Sequence, residues 1–130
     1  MSKQILVVDD SETCRKVTRL FLESQLGLEV CGEAVDGVDA IEKAKKSKPD
    51  LILVDLAMPR LNGAEVAAVL KNEMPETPVI LFTMTDLPID SLCAAIDVDF
   101  ISKADGISKL LERVDALFSQ TLPNEGATLC

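Results

Sequence analysis

Asp9 and Asp10 stand side by side after the apolar run Ile5-Leu6-Val7-Val8, and Asp55 follows Leu51-Ile52-Leu53-Val54. Thr83 closes Val79-Ile80-Leu81-Phe82, and Lys103 follows Asp99-Phe100-Ile101-Ser102. Each polar residue thus sits at the carboxyl end of a short strand-like segment. If those segments form one parallel sheet, residues about 45 and about 90 positions apart become neighbours at the edge where open α/β sheets bind ligands. Three carboxylates gathered there repel one another and favour protonation. A hard divalent cation relieves that repulsion through oxygen coordination, and Mg²⁺ in particular uses only one or two carboxylates and keeps room for a phosphoryl oxygen. With a lysine and a hydroxyl opposite, the set suits a phosphoryl group in transfer, where positioning and charge neutralisation do the catalysis. One carboxylate can itself be the nucleophile and become an aspartyl-phosphate.

The composition narrows the chemistry further. The chain has no histidine, which removes histidine-based nucleophile pairs, metal ligands and acid–base catalysis. Thirteen basic against 22 acidic residues give a net charge of -9, which argues against direct nucleic-acid binding and against an anionic membrane surface. Cys14, Cys31, Cys93 and Cys130 include no C-x-x-C pair and read as reduced cysteines of a cytosolic protein. The N-terminal apolar run is too short for a signal peptide, and no run approaches a membrane span, so the cytoplasm is the expected compartment. At 130 residues the length suits one domain with one real core.

The elements that must position these residues alternate about five times. Ile5–Val8, Leu51–Asp55 and Val79–Thr83 read as buried strands, and Asp99–Ser102 as a brief one. Leu28, Val30, Gly32 and Ala34 alternate with Glu29, Cys31 and Glu33, which predicts an edge strand exposed on one face. Cys14, Val17, Leu20 and Phe21 recur at helical spacing up to Gly27. Asp36-Gly37 opens a second helix, whose Lys43, Lys45, Lys46 and Lys48 read as a solvated face. Asn62-Gly63-Ala64-Glu65 has a capping-box pattern and opens a third, Leu87 to Ile96 reads as a weak helix, and Ile107 to Phe118 is the clearest amphipathic pattern. Such alternation predicts an α/β three-layer sandwich around a five-stranded parallel sheet, and the second strand at the edge fits the flavodoxin-like order 2-1-3-4-5. Residues 1–119 are expected to form the domain and residues 120–130 a flexible tail.

These residues resemble the receiver domains of two-component response regulators. The resemblance spans residues 3 to 119 and is carried by Asp9-Asp10, by Asp55-Leu56-Ala57-Met58-Pro59 with Gly63 four beyond the proline, by Thr83, and by Lys103 three after Phe100. It implies that Asp55 accepts phosphate from a histidine kinase or phosphotransfer protein. It further implies that Asp10 is a direct Mg²⁺ ligand, that Asp9 helps directly or through water, and that Asp55 and the Ala57 backbone carbonyl complete the protein's coordination. Thr83, Lys103, Ala57 and Met84 would meet the phosphoryl group, and Phe100 would rotate inward as Thr83 shifts. The implied readout face runs from about Leu87 to Leu117, toward a downstream protein target, as a monomer or weak homodimer. The implied whole is a single-domain regulator that is not an enzyme beyond assisting its own phosphorylation and dephosphorylation; a receiver excised from a longer regulator is the alternative.

Three positions depart from the usual pattern. Ala104 stands where many receivers carry proline, so a trans Lys103–Ala104 bond is expected. Met84 follows Thr83 where a small residue is usual, and Ala57 offers no side chain to position water. Taken singly, Asp9 or Asp10 could cap the first helix, and Asp55 could be a half-buried acid paired with Lys103. Among other functions of this architecture, flavin binding fits poorly: two aspartates would repel a phosphate, and aromatic residues are only 3%. A phosphatase with an aspartate nucleophile would want a second acid where Ala57 stands. A binding domain that works without phosphorylation is disfavoured by the full acidic set.

Overall fold

The structure is a computed structural model and describes residues 3–55, 63–83 and 98–119. The helix expected over Leu87–Ile96, the loop carrying Ala57, Met58 and Pro59, Met84, and the tail from residue 120 lie outside the described residues.

Five strands, β1 (Gln4–Val8), β2 (Glu29–Ala34), β3 (Leu51–Val54), β4 (Val79–Thr83) and β5 (Asp99–Ser102), form one parallel sheet in the order β2-β1-β3-β4-β5. Side-chain alternation splits the core into two layers. Leu6, Val8, Ile52, Val54, Val79 and Leu81 face helices α2 (Gly37–Ser47) and α3 (Gly63–Glu73) through Ala40, Ala44, Val66, Ala67 and Leu70. Ile5, Val7, Leu51, Leu53, Ile80, Phe82 and Ile101 face α1 (Glu12–Leu26) and the last helix, α4 (Ile107–Ser119), through Leu22, Leu110 and Val114. The central strands are apolar on both faces because both faces are covered. Among the described residues, no helix is long and apolar enough to cross a membrane.

Local chemistry sets the helix ends. The Ser11 hydroxyl accepts the Cys14 N–H at 3.2 Å and caps α1, so neither Asp9 nor Asp10 is spent on that task. Gly27 ends α1 in the left-handed region at φ 66°, with its N–H donating to the Leu22 carbonyl. Asp36 caps α2 by accepting the Asp39 N–H at 2.9 Å. The α2 lysines are exposed, and two of them pair with acids: Lys43 with Asp39 at 3.3 Å and Lys45 with Glu73 at 2.8 Å. Cys14 and Cys31 are free thiols.

Strand β2 departs from simple alternation. Ile5 pairs with Val30 but Leu6 pairs with Gly32, so Cys31 is an extra residue. An inserted residue reverses which side chains face which layer from that point on. Val30 therefore packs with the α1 and α4 layer and Ala34 with the α2 and α3 layer, and Glu33 is turned toward α1. The period of two read from the sequence does not survive this bulge.

Leu110 is fully buried where α4 meets the sheet. Leu110→Ala is expected to lower unfolding stability by about 2–5 kcal/mol, read by urea denaturation, because the site cannot fully collapse around the lost side chain. A smaller loss would mean that α4 is not docked as described.

Candidate functional site

The backbone ladder carries two acids to the carboxyl edge of the sheet. The Asp9 N–H donates to the Ala34 carbonyl at 3.0 Å and the Asp55 N–H to the Val8 carbonyl at 2.9 Å, extending β1 and β3 by one residue each. Asp9, Asp10 and Asp55 each offer a carboxylate oxygen within 4.8 Å of the others. Asp9 is buried, Asp55 partly buried and Asp10 exposed.

Two further strands complete the arrangement. Thr83, 1% exposed at the end of β4, donates its hydroxyl to Asp55 Oδ1 at 2.6 Å. After β5 the chain enters a 3₁₀ turn over Lys103–Asp105, capped by Ser102, whose Oγ accepts the Ala104 N–H at 3.1 Å. That turn aims Lys103 at the acids: its Nζ lies 2.8 Å from Asp9 Oδ2 and 3.8 Å from Asp55 Oδ2. The ammonium also sits over the Phe82 ring, 5.7 Å from its centre. The described backbone holds no cis peptide, so the Lys103–Ala104 bond is trans as expected.

Electrostatics favour the charged lysine. Burial alone would lower the Lys103 pKa, but the hydrogen bond and charge of Asp9, joined by the charge of Asp55, outweigh it and hold it above the ordinary lysine value. Asp9 and Asp55 thus both face the Lys103 ammonium. The donor set is all oxygen, clustered and partly open at Asp10, which fits a hard cation such as Mg²⁺.

All five residues singled out for chemistry, Asp9, Asp10, Asp55, Thr83 and Lys103, come together. Phe100 lies elsewhere: it is partly buried, pairs in register with Leu81, and packs against the layer under α2 and α3. Ala57 and Met84 lie outside the described residues. Sequence reasoning missed the 3₁₀ turn, the Phe82 ring under Lys103, and Arg15. Arg15 sits behind the acids: its Nη1 donates to the Asp9 carbonyl at 2.7 Å and its Nε to Glu33 Oε1 at 2.9 Å. The one available signal was the stripe Arg15, Arg19, Glu23 at a spacing of four, which puts two cations and an acid on one side of α1.

Comparison with known proteins gives the family and agrees with the fold. The family model for the response regulator receiver domain matches residues 5–115. A protein-glutamate methylesterase/protein-glutamine glutaminase of Pyrococcus horikoshii is 39% identical over 103 residues, covering 77% of this chain and 28% of that protein. The response regulator MprA of a Mycobacterium species (strain KMS) is 33% identical over 130 residues, covering 97% of this chain and 55% of that protein. The crystal structure of the response regulator domain of Thermotoga maritima CheB superposes with a TM-score of 0.80 at 32% identity, covering 89% of this chain and 96% of that one. An open parallel sheet with acids, a hydroxyl and a lysine at one edge is an arrangement suited to a hard cation and a phosphoryl group. The chain belongs to the response regulator receiver domains. It spans between about a quarter and about half of the length of these curated relatives, 28% and 55% respectively.

Proposed function

We propose that Asp55 accepts a phosphoryl group from a histidine kinase or phosphotransfer protein, that Asp9, Asp10, Asp55 and the Ala57 carbonyl hold Mg²⁺ for that step, and that the modification biases the face from about Leu87 to Leu117, which includes β5 and most of α4, for a downstream protein partner. The observation that carries this reading is the meeting of three acids from two strand ends with Thr83 and Lys103 from two others. General behaviour of the family supports it: receiver domains accept phosphoryl groups, bind Mg²⁺ at an acidic pocket, and interact with histidine kinases and phosphotransfer proteins.

An Asp55 oxygen attacks phosphorus. The O–P bond forms as the P–N bond to the donor imidazole breaks, and the released imidazole takes up a proton at neutral pH. Bound Mg²⁺ supplies positive charge against the acids and the phosphoryl oxygens. Lys103, already 3.8 Å from Asp55 Oδ2, pairs with a phosphoryl oxygen, and the Thr83 hydroxyl exchanges Asp55 for another. Ala57 and Met84, outside the described residues, are the remaining phosphoryl contacts of this reading. Phosphorylation adds about two negative charges. The resulting shift of Thr83 lets Phe100 turn inward and changes the distal face, by no more than phosphate and Mg²⁺ favour one packing over the other. The domain is then an accepting partner in the cytoplasm that turns over no separate substrate.

Mg²⁺ with beryllofluoride, a phosphoryl mimic, tests this. Amide resonances around Thr83, Phe100 and residues 84–97 are expected to shift together. Unchanged spectra at saturating additive would overturn both the site and the switch.

A further inference from the structure

Every polar group of Asp9 is engaged. Its N–H donates to the Ala34 carbonyl at 3.0 Å, and its carbonyl accepts Arg15 Nη1 at 2.7 Å. Its Oδ1 accepts the Ser11 N–H at 2.9 Å, and its Oδ2 accepts Lys103 Nζ at 2.8 Å. Three of these partners belong to the strand ladder, the turn or the site lysine. Arg15 is the fourth and serves none of these. Its guanidinium bridges the Asp9 carbonyl and Glu33, with a side chain only 12% exposed.

The support behind Arg15 is itself built. Glu33 faces α1 only because of the bulge at Cys31. Its second oxygen takes Arg19 Nη1 at 3.0 Å, Arg19 Nε reaches Glu23 Oε1 at 3.4 Å, and Glu23 Oε2 accepts the Val30 N–H at 3.2 Å. Burial alone would raise the Glu33 pKa, but the hydrogen bonds and charges of Arg15 and Arg19 outweigh it and hold the carboxyl below its ordinary value. Glu33 is therefore a fixed anion, and Arg15 a fixed fork between it and the loop.

We propose that Arg15 is a positioning residue that locks the Asp9–Asp10 peptide between the edge strand and α1, and so sets the affinity of the acidic pocket for Mg²⁺. The inference rests on the Mg²⁺ reading above. The orientation of the Asp9 carbonyl determines the plane of the peptide that leads into Asp10, the exposed acid of the cluster. Groups that orient metal ligands from behind typically carry about 10- to 100-fold in metal affinity. A lysine keeps the charge but has no planar fork to hold two acceptors at once.

The test measures Mg²⁺ dissociation constants by calorimetry alongside urea midpoints. Arg15→Lys and Arg15→Gln are each expected to bind Mg²⁺ about tenfold more weakly, with labelling by acetyl phosphate recovered at excess Mg²⁺. Glu33→Gln is expected to weaken binding in the same direction by less, because Arg15 keeps its bond to Asp9. Arg19→Ala, which removes only the exposed outer pairs, is expected to keep the affinity within about twofold while lowering the urea midpoint. If Arg15→Gln does not fold, Arg15→Lys and Glu33→Gln decide. Wild-type affinity in both folded Arg15 variants overturns this inference alone, whatever their urea midpoints. A wild-type protein that takes up no Mg²⁺ overturns the site reading, and this inference with it.

Discussion

Asp55→Asn is expected to abolish labelling by acetyl phosphate, read as the loss of a one-phosphoryl gain in intact mass. An amide oxygen is a poor nucleophile, and the substitution also removes one of the three oxygen-donor acids. The fold should survive it. The Asn carbonyl can still accept the Thr83 hydroxyl that now bonds Asp55 Oδ1 at 2.6 Å. Removing one of three clustered like charges also relieves repulsion. The variant should therefore stay folded and unlabelled, and a chemical explanation rather than a structural one applies. Labelling that persists in Asp55→Asn would move the acceptor to another residue.

Lys103→Met is expected to slow labelling by about 100-fold at saturating Mg²⁺, the usual scale for removing one charged or hydrogen-bonding partner of a developing anion. Met keeps an unbranched apolar stem against Phe82 and removes only the charge. The variant should also be less stable without Mg²⁺, since buried Asp9 loses its 2.8 Å counterion. The pH dependence has a definite sign. Lys103 has a folded-state pKa above its ordinary value, so its contribution is full below the unfolded lysine value. That contribution is lost only as pH rises through the raised folded value. The stability difference between wild type and Lys103→Met should thus stay constant from neutral pH up to about 9 and shrink only above about 10.4. A difference that fades between neutral pH and about 9 would mean that Lys103 is not held by the acids.

The candidate site was legible because its residues mark strand ends. In a parallel sheet all carboxyl ends share one edge, so Asp9, Asp55, Thr83 and Lys103 were bound to converge once the alternation was read. The buried runs of β1, β3 and β4 carry that signal plainly, and Gly27 marks the end of α1, whereas the cap at Ser11 stands where Asp9 or Asp10 was the candidate. Three details did not show. The bulge at Cys31 reversed the faces of β2, because an extra residue in a ladder is decided by pairing with β1 and leaves no local mark. The 3₁₀ turn at Lys103 replaced an unassigned loop. The bridge from Asp9 through Arg15 to Glu33 joins residues from three elements.

By itself the sequence determined the residue types and their order: which segments bury, where helices start and stop, and which acids, hydroxyl and lysine stand at strand ends. These follow from short-range periodicity and from side chains that satisfy nearby backbone groups. Tertiary structure alone decided orientation. It chose which face Glu33 presents, how the turn after β5 aims Lys103 at Asp9, and that Arg15 reaches the Asp9 carbonyl. Those choices depend on pairing register and packing between segments far apart in the chain, where one residue of slip exchanges buried for exposed.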